Sequence, residues 1–135
     1  MKDKNEKFTE CKELKAALDI FRETDGSSFP DLVETLSRER KKGTGLIVAL
    51  TEIEVKTKEG IITINKCKPV IDDENKFYMA AFTGPDDYVE DEESFPVEWS
   101  ISDLKEVILE DGYEGLILNP WGASAFIPAE TIAGI

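Results

Sequence analysis

The chain has 135 residues, 41% of them hydrophobic and 33% charged, with a formal charge of −13. That length suits one domain with its own apolar core, and the composition is that of a globular protein and not of a disordered one. The charge sets the chain against nucleic-acid backbones and anionic membrane surfaces as direct partners and allows a basic protein partner, though net charge alone also serves solubility.

The acidic excess is uneven. Residues 1–43 hold ten Lys/Arg and ten Asp/Glu, whereas residues 44–135 hold six Lys and nineteen Asp/Glu. No run of about 18 apolar residues could span a bilayer, and the charged opening MKDKNEKFTE lacks the apolar core of a signal peptide, so the sequence reads as cytoplasmic.

Taken in chain order, Cys11, Leu14, Leu18 and Phe21 fall at helical spacing, with Thr9 as a cap and Gly26 as a stop. A second helix is expected from Ser28 as cap and Pro30 in the first turn, with Leu32, Val33 and Leu36 buried and the basic run 38–42 at its negative pole. Residues 1–43 therefore read as a helical hairpin packed on the domain formed by residues 44–135.

Strand patterns follow. Residues 45–55 begin as a continuous apolar run, and residues 60–71 alternate until Pro69 interrupts. A turn at 72–75 leads to a strand over 76–83, and Gly84 and Pro85 then open a short helix through DDYVEDEE. A longer helix over SISDLKEVILEDG takes Ser100 or Ser102 as cap and buries Ile101, Leu104, Val107 and Ile108. A strand at 115–118, the turn NPWG, a strand at 125–127 and a helical turn after Pro128 complete the chain. The fold class is α+β: a helical hairpin, then a compact mixed sheet of short strands with flanking helices.

Histidine is absent, which removes Ser-His-Asp and Cys-His catalysis and the commonest transition-metal ligand. Cys11 and Cys67 are too few for a disulfide framework and read as reduced, partly buried hydrophobes. Neither a P-loop nor a dinucleotide fingerprint occurs. No cofactor or metal is expected, and the chain reads as non-enzymatic.

Two stretches remain as candidate sites. The first holds Asp86, Asp87, Tyr88, Glu90, Asp91, Glu92 and Glu93, six carboxylates around one aromatic. They lack the alternating spacing and central glycine of a calcium loop, so the choice is between a solvated loop and a dock for a basic partner anchored by Tyr88. The second is Asn119, Pro120, Trp121 and Gly122. Asn119 can bond its own backbone two residues on, Pro120 fixes φ and Gly122 tolerates positive φ, which describes a tight corner; Trp121 makes a ligand site the competing reading.

The phrases FYMAAFTGPDDY (77–88) and GLILNPWG (115–122), with a helix between them, resemble the SseB N-terminal-domain family of bacterial proteins. The resemblance covers about residues 46–132 and rests on Phe82, Thr83 and Gly84 in the first motif and on residues 115–122 in the second. It implies a compact α+β domain without carried-over catalytic residues, and a context of secretion or toxin-immunity systems. The expected function is a non-catalytic protein-interaction module, immunity-like or secretion-accessory, that uses its acidic surface. The alternative is a small-molecule or metal-binding regulatory or enzymatic domain with a pocket near Trp121.

Overall fold

A computed structural model of the chain describes residues 8, 10–88, 94–120 and 124–135. Two helices come first, α1 (Lys12–Glu23) and α2 (Phe29–Lys41). α1 ends where Asp25 takes a left-handed conformation (φ 55°), with Gly26 N–H donating to Phe21 O (2.9 Å) and Asp25 N–H to Arg22 O (3.2 Å). This is the paired bonding of a Schellman stop, with Asp25 and not Gly26 in the first left-handed position. Thr9, the expected cap, lies outside the described residues, and Cys11 occupies the cap position without a side-chain capping bond. Ser28 precedes α2 as expected, yet its hydroxyl accepts from Thr24 Oγ1 (2.8 Å) instead of capping the helix.

The strands are β1 (Gly45–Thr57), β2 (Gly60–Cys67), β3 (Pro69–Ile71), β4 (Phe77–Ala81), β5 (Phe95–Ser100), β6 (Gly115–Leu118) and β7 (Ala125–Pro128). Helix α3 (Ile101–Glu110) and the short α4 (Ala129–Ala133) complete the α+β fold. One sheet has the order β2-β1-β5 and the other β3-β4-β6-β7, all antiparallel except β4 with β6. A reciprocal pair of hydrogen bonds between Ile47 and Phe82 (2.8 and 3.0 Å) joins them.

Of the two expected caps for α3, Ser100 does the work, its Oγ accepting from Asp103 N (3.1 Å). At the tight turn before β4, Asp72 accepts from Glu74 N, Lys76 N and the Tyr78 hydroxyl (2.9, 3.0 and 2.7 Å). The Tyr78 bond comes first among the causes that hold the Asp72 carboxyl below its ordinary value. Gly115 is fixed by packing: a Cβ there would lie 2.6 Å from the Phe126 ring.

The hairpin shares the main core. Leu14, Leu18, Leu32 and Leu36 of α1 and α2 pack in one cluster with Leu46, Val48, Met79, Leu104, Leu116 and Ile127. A smaller cluster holds Phe8, Ile47, Phe82 and Tyr88, with Ala49 against it. Along β1 the even positions 46, 48 and 50 enter the main core while Ile47 and Ala49 face the smaller cluster. Burial on both faces explains the unbroken apolar start of this strand. Beyond Leu50 the strand and its partner β2 form a two-stranded ribbon whose residues are mostly exposed.

One expectation is corrected, and one strand was not expected. The helix through DDYVEDEE is a single 3-10 turn at Pro85–Asp87, and residues 89–93 lie outside the described residues. The segment before α3 is β5, whose inward positions Val97 and Trp99 pair with Val48 and Leu46. Its edge position in the sheet accommodates Pro96.

Candidate functional site

The turn at Asn119 is built from both ends. Asn119 sits at φ 47°, a left-handed conformation that asparagine tolerates better than most residues. Its side chain does not fold onto its own backbone. Oδ1 accepts from Thr83 N (2.9 Å) and Nδ2 donates to Thr83 Oγ1 (2.9 Å), 36 residues away and fully buried. Its own N–H donates to Ala81 O (2.9 Å). The two stretches that carry the family resemblance are thus joined by one side-chain clamp. Trp121 and Gly122, and with them the alternative pocket expected near Trp121, lie outside the described residues.

The clamp continues into the acidic turn. Thr83 Oγ1 donates to Asp87 Oδ2 (3.1 Å), and the same carboxylate oxygen meets Lys15 Nζ at 3.3 Å, which also reaches Glu10 at 3.5 Å. Burial works to lower the Lys15 ammonium, but Asp87 and Glu10 outweigh it and raise its pKa. Asp87 is therefore committed to the fold's own basic residue. Tyr88 is 3% exposed, with its ring edge-on to Phe82 at 5.2 Å, so it is a core side chain and not an exposed anchor. Asp86 is exposed, while Glu90, Asp91, Glu92 and Glu93 lie outside the described residues.

A second polar cluster lies where α1, α2 and β1 meet. Glu39 is 4% exposed and accepts from Thr44 Oγ1 (2.9 Å) and Cys11 Sγ (3.5 Å), with Lys42 Nζ at 2.9 Å. The bond from Lys42, with those from Thr44 and Cys11, outweighs burial and holds the Glu39 carboxyl below its ordinary value. Cys11, Glu13 and Glu39 bring three donor atoms within 4.8 Å of one another, the spacing of a metal trio. The thiol, however, is pushed up to about 11 by burial and donates its proton to Glu39. With Glu39 bonded to three protein donors, the cluster is a lock between α1, α2 and the start of β1.

Cys67 is likewise buried, and burial pushes its thiol up to about 11. From an ordinary value of 9.0, that shift leaves on the order of 100-fold less thiolate near pH 8. Reaction of both thiols with Ellman's reagent should therefore be at least ~100-fold slower in the native chain than in denaturant. Native rates equal to the denatured ones would show the thiols to be accessible.

The most open acidic feature is on α3. Asp103, Glu106, Val107 and Glu110 share one helix face at i, i+3, i+4 and i+7, and with Trp99 they line a groove of about 290 Å3. Trp99 and Val107 are half-buried and rest on the main core, whereas the three carboxylates are exposed. None of the ion pairs among the described residues engages Asp103, Glu106 or Glu110. Lys105, next along the helix, spends its amine on Ile135 O (2.9 Å). Sequence reading missed this site because it requires Trp99, the end of an unexpected strand. The i, i+3, i+7 spacing of the acids was the available signal.

Compared with known protein families, curated proteins and solved structures, the chain matches none. No helix among the described residues is long and apolar enough to cross a membrane.

Proposed function

We propose that the chain is a non-catalytic protein-interaction module whose partner presents lysine or arginine side chains. The observation that carries this reading is the α3 groove, where three carboxylates without a cationic partner among the described residues flank a half-buried tryptophan. A guest ammonium or guanidinium there gains ion pairing and a cation–π contact of about 0.5–1 kcal/mol at an exposed site. Tryptophan on a rigid, core-packed base is also the side chain that most often anchors protein interfaces.

Asp86, with Glu90, Asp91, Glu92 and Glu93, forms the second part of this proposal, as a steering charge that needs no aromatic of its own; Asp87 is left to Lys15. The resemblance of residues 77–88 and 115–122 to the SseB N-terminal-domain family supports this reading through the secretion or immunity context that it implies. A bacterial, immunity-like role would be the masking of a basic protein by complementary charge, with fast, salt-sensitive association.

The test uses the two tryptophans of the chain. In a Trp121→Phe background, Trp99 emission should change saturably with a lysine-rich peptide at 50 mM salt. The apparent affinity should fall about tenfold or more by 300 mM salt. The triple variant D103N/E106Q/E110Q should lose the response. Unchanged binding by that variant removes the α3 groove, and loss on neutralising Asp86, Glu90, Asp91, Glu92 and Glu93 instead would place the contact at the acidic turn.

A further inference from the structure

The α3 groove borders a strand edge, because its Trp99 belongs to β5 and β5 is the outermost strand of the β2-β1-β5 sheet. Bonds on the other side of β1 fix which way the β5 backbone faces. Ile47 exchanges both of its main-chain bonds with Phe82 (2.8 and 3.0 Å), and Ala49 O accepts from Lys68 N (2.9 Å). Both residues therefore turn their polar groups away from β5, and the residues opposite them, Glu98 and Pro96, turn theirs outward. Ile101 N–H reaches Thr44 O (3.1 Å) in the inward phase, which puts the Ser100 N–H outward as well. Pro96 fits this alternation, since the N–H it lacks would have faced outward. The edge thus holds Pro96 C=O, Glu98 N–H and C=O, and Ser100 N–H, with no strand beyond them among the described residues.

An antiparallel strand laid here takes up to four main-chain bonds: two at its residue opposite Glu98, and one at each residue two places away. Its residues opposite Val97 and Trp99 put their side chains on the face of those two, where Trp99 lines the groove with Asp103, Glu106 and Glu110. The residue opposite Glu98 meets that exposed carboxylate directly. Glu98 joins none of the ion pairs among the described residues. Charge selects among the occupants. The β5 edge of a second copy, paired two-fold about Glu98, sets Glu98 against Glu98 and is repelled. A basic helix matches the acids but spends its main-chain groups internally and leaves the edge bare. An extended segment rich in Lys or Arg satisfies both the carboxylates and the backbone.

We propose that the partner's basic segment binds as an added antiparallel strand on β5, with Lys or Arg at alternate positions facing α3. This mode rests on the α3 groove being the basic-partner site, and adds to it the conformation and the residue spacing of the guest. Main-chain bonds to Pro96, Glu98 and Ser100 supply the grip, and the alternate side chains supply the selectivity. Because successive side chains of a strand point to opposite faces, the basic residues that meet α3 recur at every second position of the guest.

The probe is an end-blocked heptapeptide that alternates Thr and Lys, beginning and ending with Thr, titrated against the Trp99 emission in the Trp121→Phe background. With its lysines facing α3, the N–H groups directed at β5 belong to the threonines. N-methylation of every Thr removes those donors and should weaken binding about tenfold or more. N-methylation of every Lys removes only solvent-facing donors, at the same charge, and should leave the affinity within about threefold. Exchange of the Glu98 and Ser100 amide protons, followed by NMR, should slow about fivefold or more when the unmodified peptide saturates the protein. Equal affinity of the two methylated peptides overturns strand addition. So does a loss confined to the Lys-methylated peptide, or unchanged exchange of both amides at saturation. A protein that binds the lysine-rich peptide above but not the alternating one also rejects strand addition, and keeps the charged groove. Binding of neither rejects both.

Discussion

Asn119→Ala should lower stability by about 3 kcal/mol, or about 10 °C in Tm for a chain of this size. Two causes add. The Thr83 N–H and hydroxyl are buried and bonded to the Asn119 amide at 2.9 Å each, and removing that amide leaves a buried donor unsatisfied, at about 1–3 kcal/mol. Alanine must also adopt the φ of 47° that asparagine holds here, at about 1–2 kcal/mol. Asn119→Gly separates the two, because glycine accepts the backbone conformation but loses both bonds. It should fall between the wild type and the alanine variant. Urea denaturation of the three proteins gives the comparison. If alanine and wild type denature at the same urea concentration, Asn119 is not the clamp that the geometry describes.

That result bears on whether NPWG is a corner or a site. Both ends of the Asn119 amide bond to Thr83, and Thr83 in turn bonds to Asp87, so these polar groups are turned into the fold. The sequence made the turn legible because an asparagine–proline pair after an aliphatic run has few conformations open to it. It could not reveal the partner. The expectation was a local bond to the next residues, while the bond made spans 36 residues and depends on which strands lie side by side. Tyr88 illustrates the same limit: neighbouring acids suggested exposure, but the single 3-10 turn at Pro85–Asp87 turns its ring onto Phe82.

Periodicity was more reliable where the chain is amphipathic and covered. The stripes at Leu14 and Leu18, Leu32 and Leu36, and Leu104 and Ile108 are all buried. β5 was overlooked although Phe95, Val97 and Trp99 alternate, because Pro96 and Glu98 between them are residues depleted in strands and the run is short. The ribbon shows what alternation means physically. Val55, Ile53, Ile62 and Ile64 do line one face, as a period of two requires, but a period does not say whether anything covers that face. The α3 groove is likewise half legible. Three acids on one helical face follow from spacing, whereas their neighbour Trp99 follows from the antiparallel register of β5 on β1.

Glu39 should make the second large difference, and its effect should depend on pH with a definite sign. Its carboxylate is the common acceptor for Thr44, Cys11 and Lys42, so it ties the ends of α1, α2 and β1 together. Glu39→Ala leaves the buried Cys11 thiol and the Thr44 hydroxyl without their acceptor and should cost about 2–3 kcal/mol at pH 7. The exposed Lys42 ammonium adds little to that figure. Because the folded-state pKa is lowered from 4.5, the native state binds fewer protons than the unfolded chain through the acid range. The stabilisation is therefore complete above the unfolded value, near pH 4.5, and is lost as pH falls through the lower folded value. Glu39→Gln has no such titration. The stability gap between wild type and E39Q should be widest at pH 6–7 and close as pH drops below about 4, although both proteins lose stability there as other carboxylates protonate. Urea midpoints measured from pH 3 to 7 decide it. A gap of constant size across that range would mean that the charge on Glu39 contributes nothing, and that the cluster acts through shape and neutral hydrogen bonds alone.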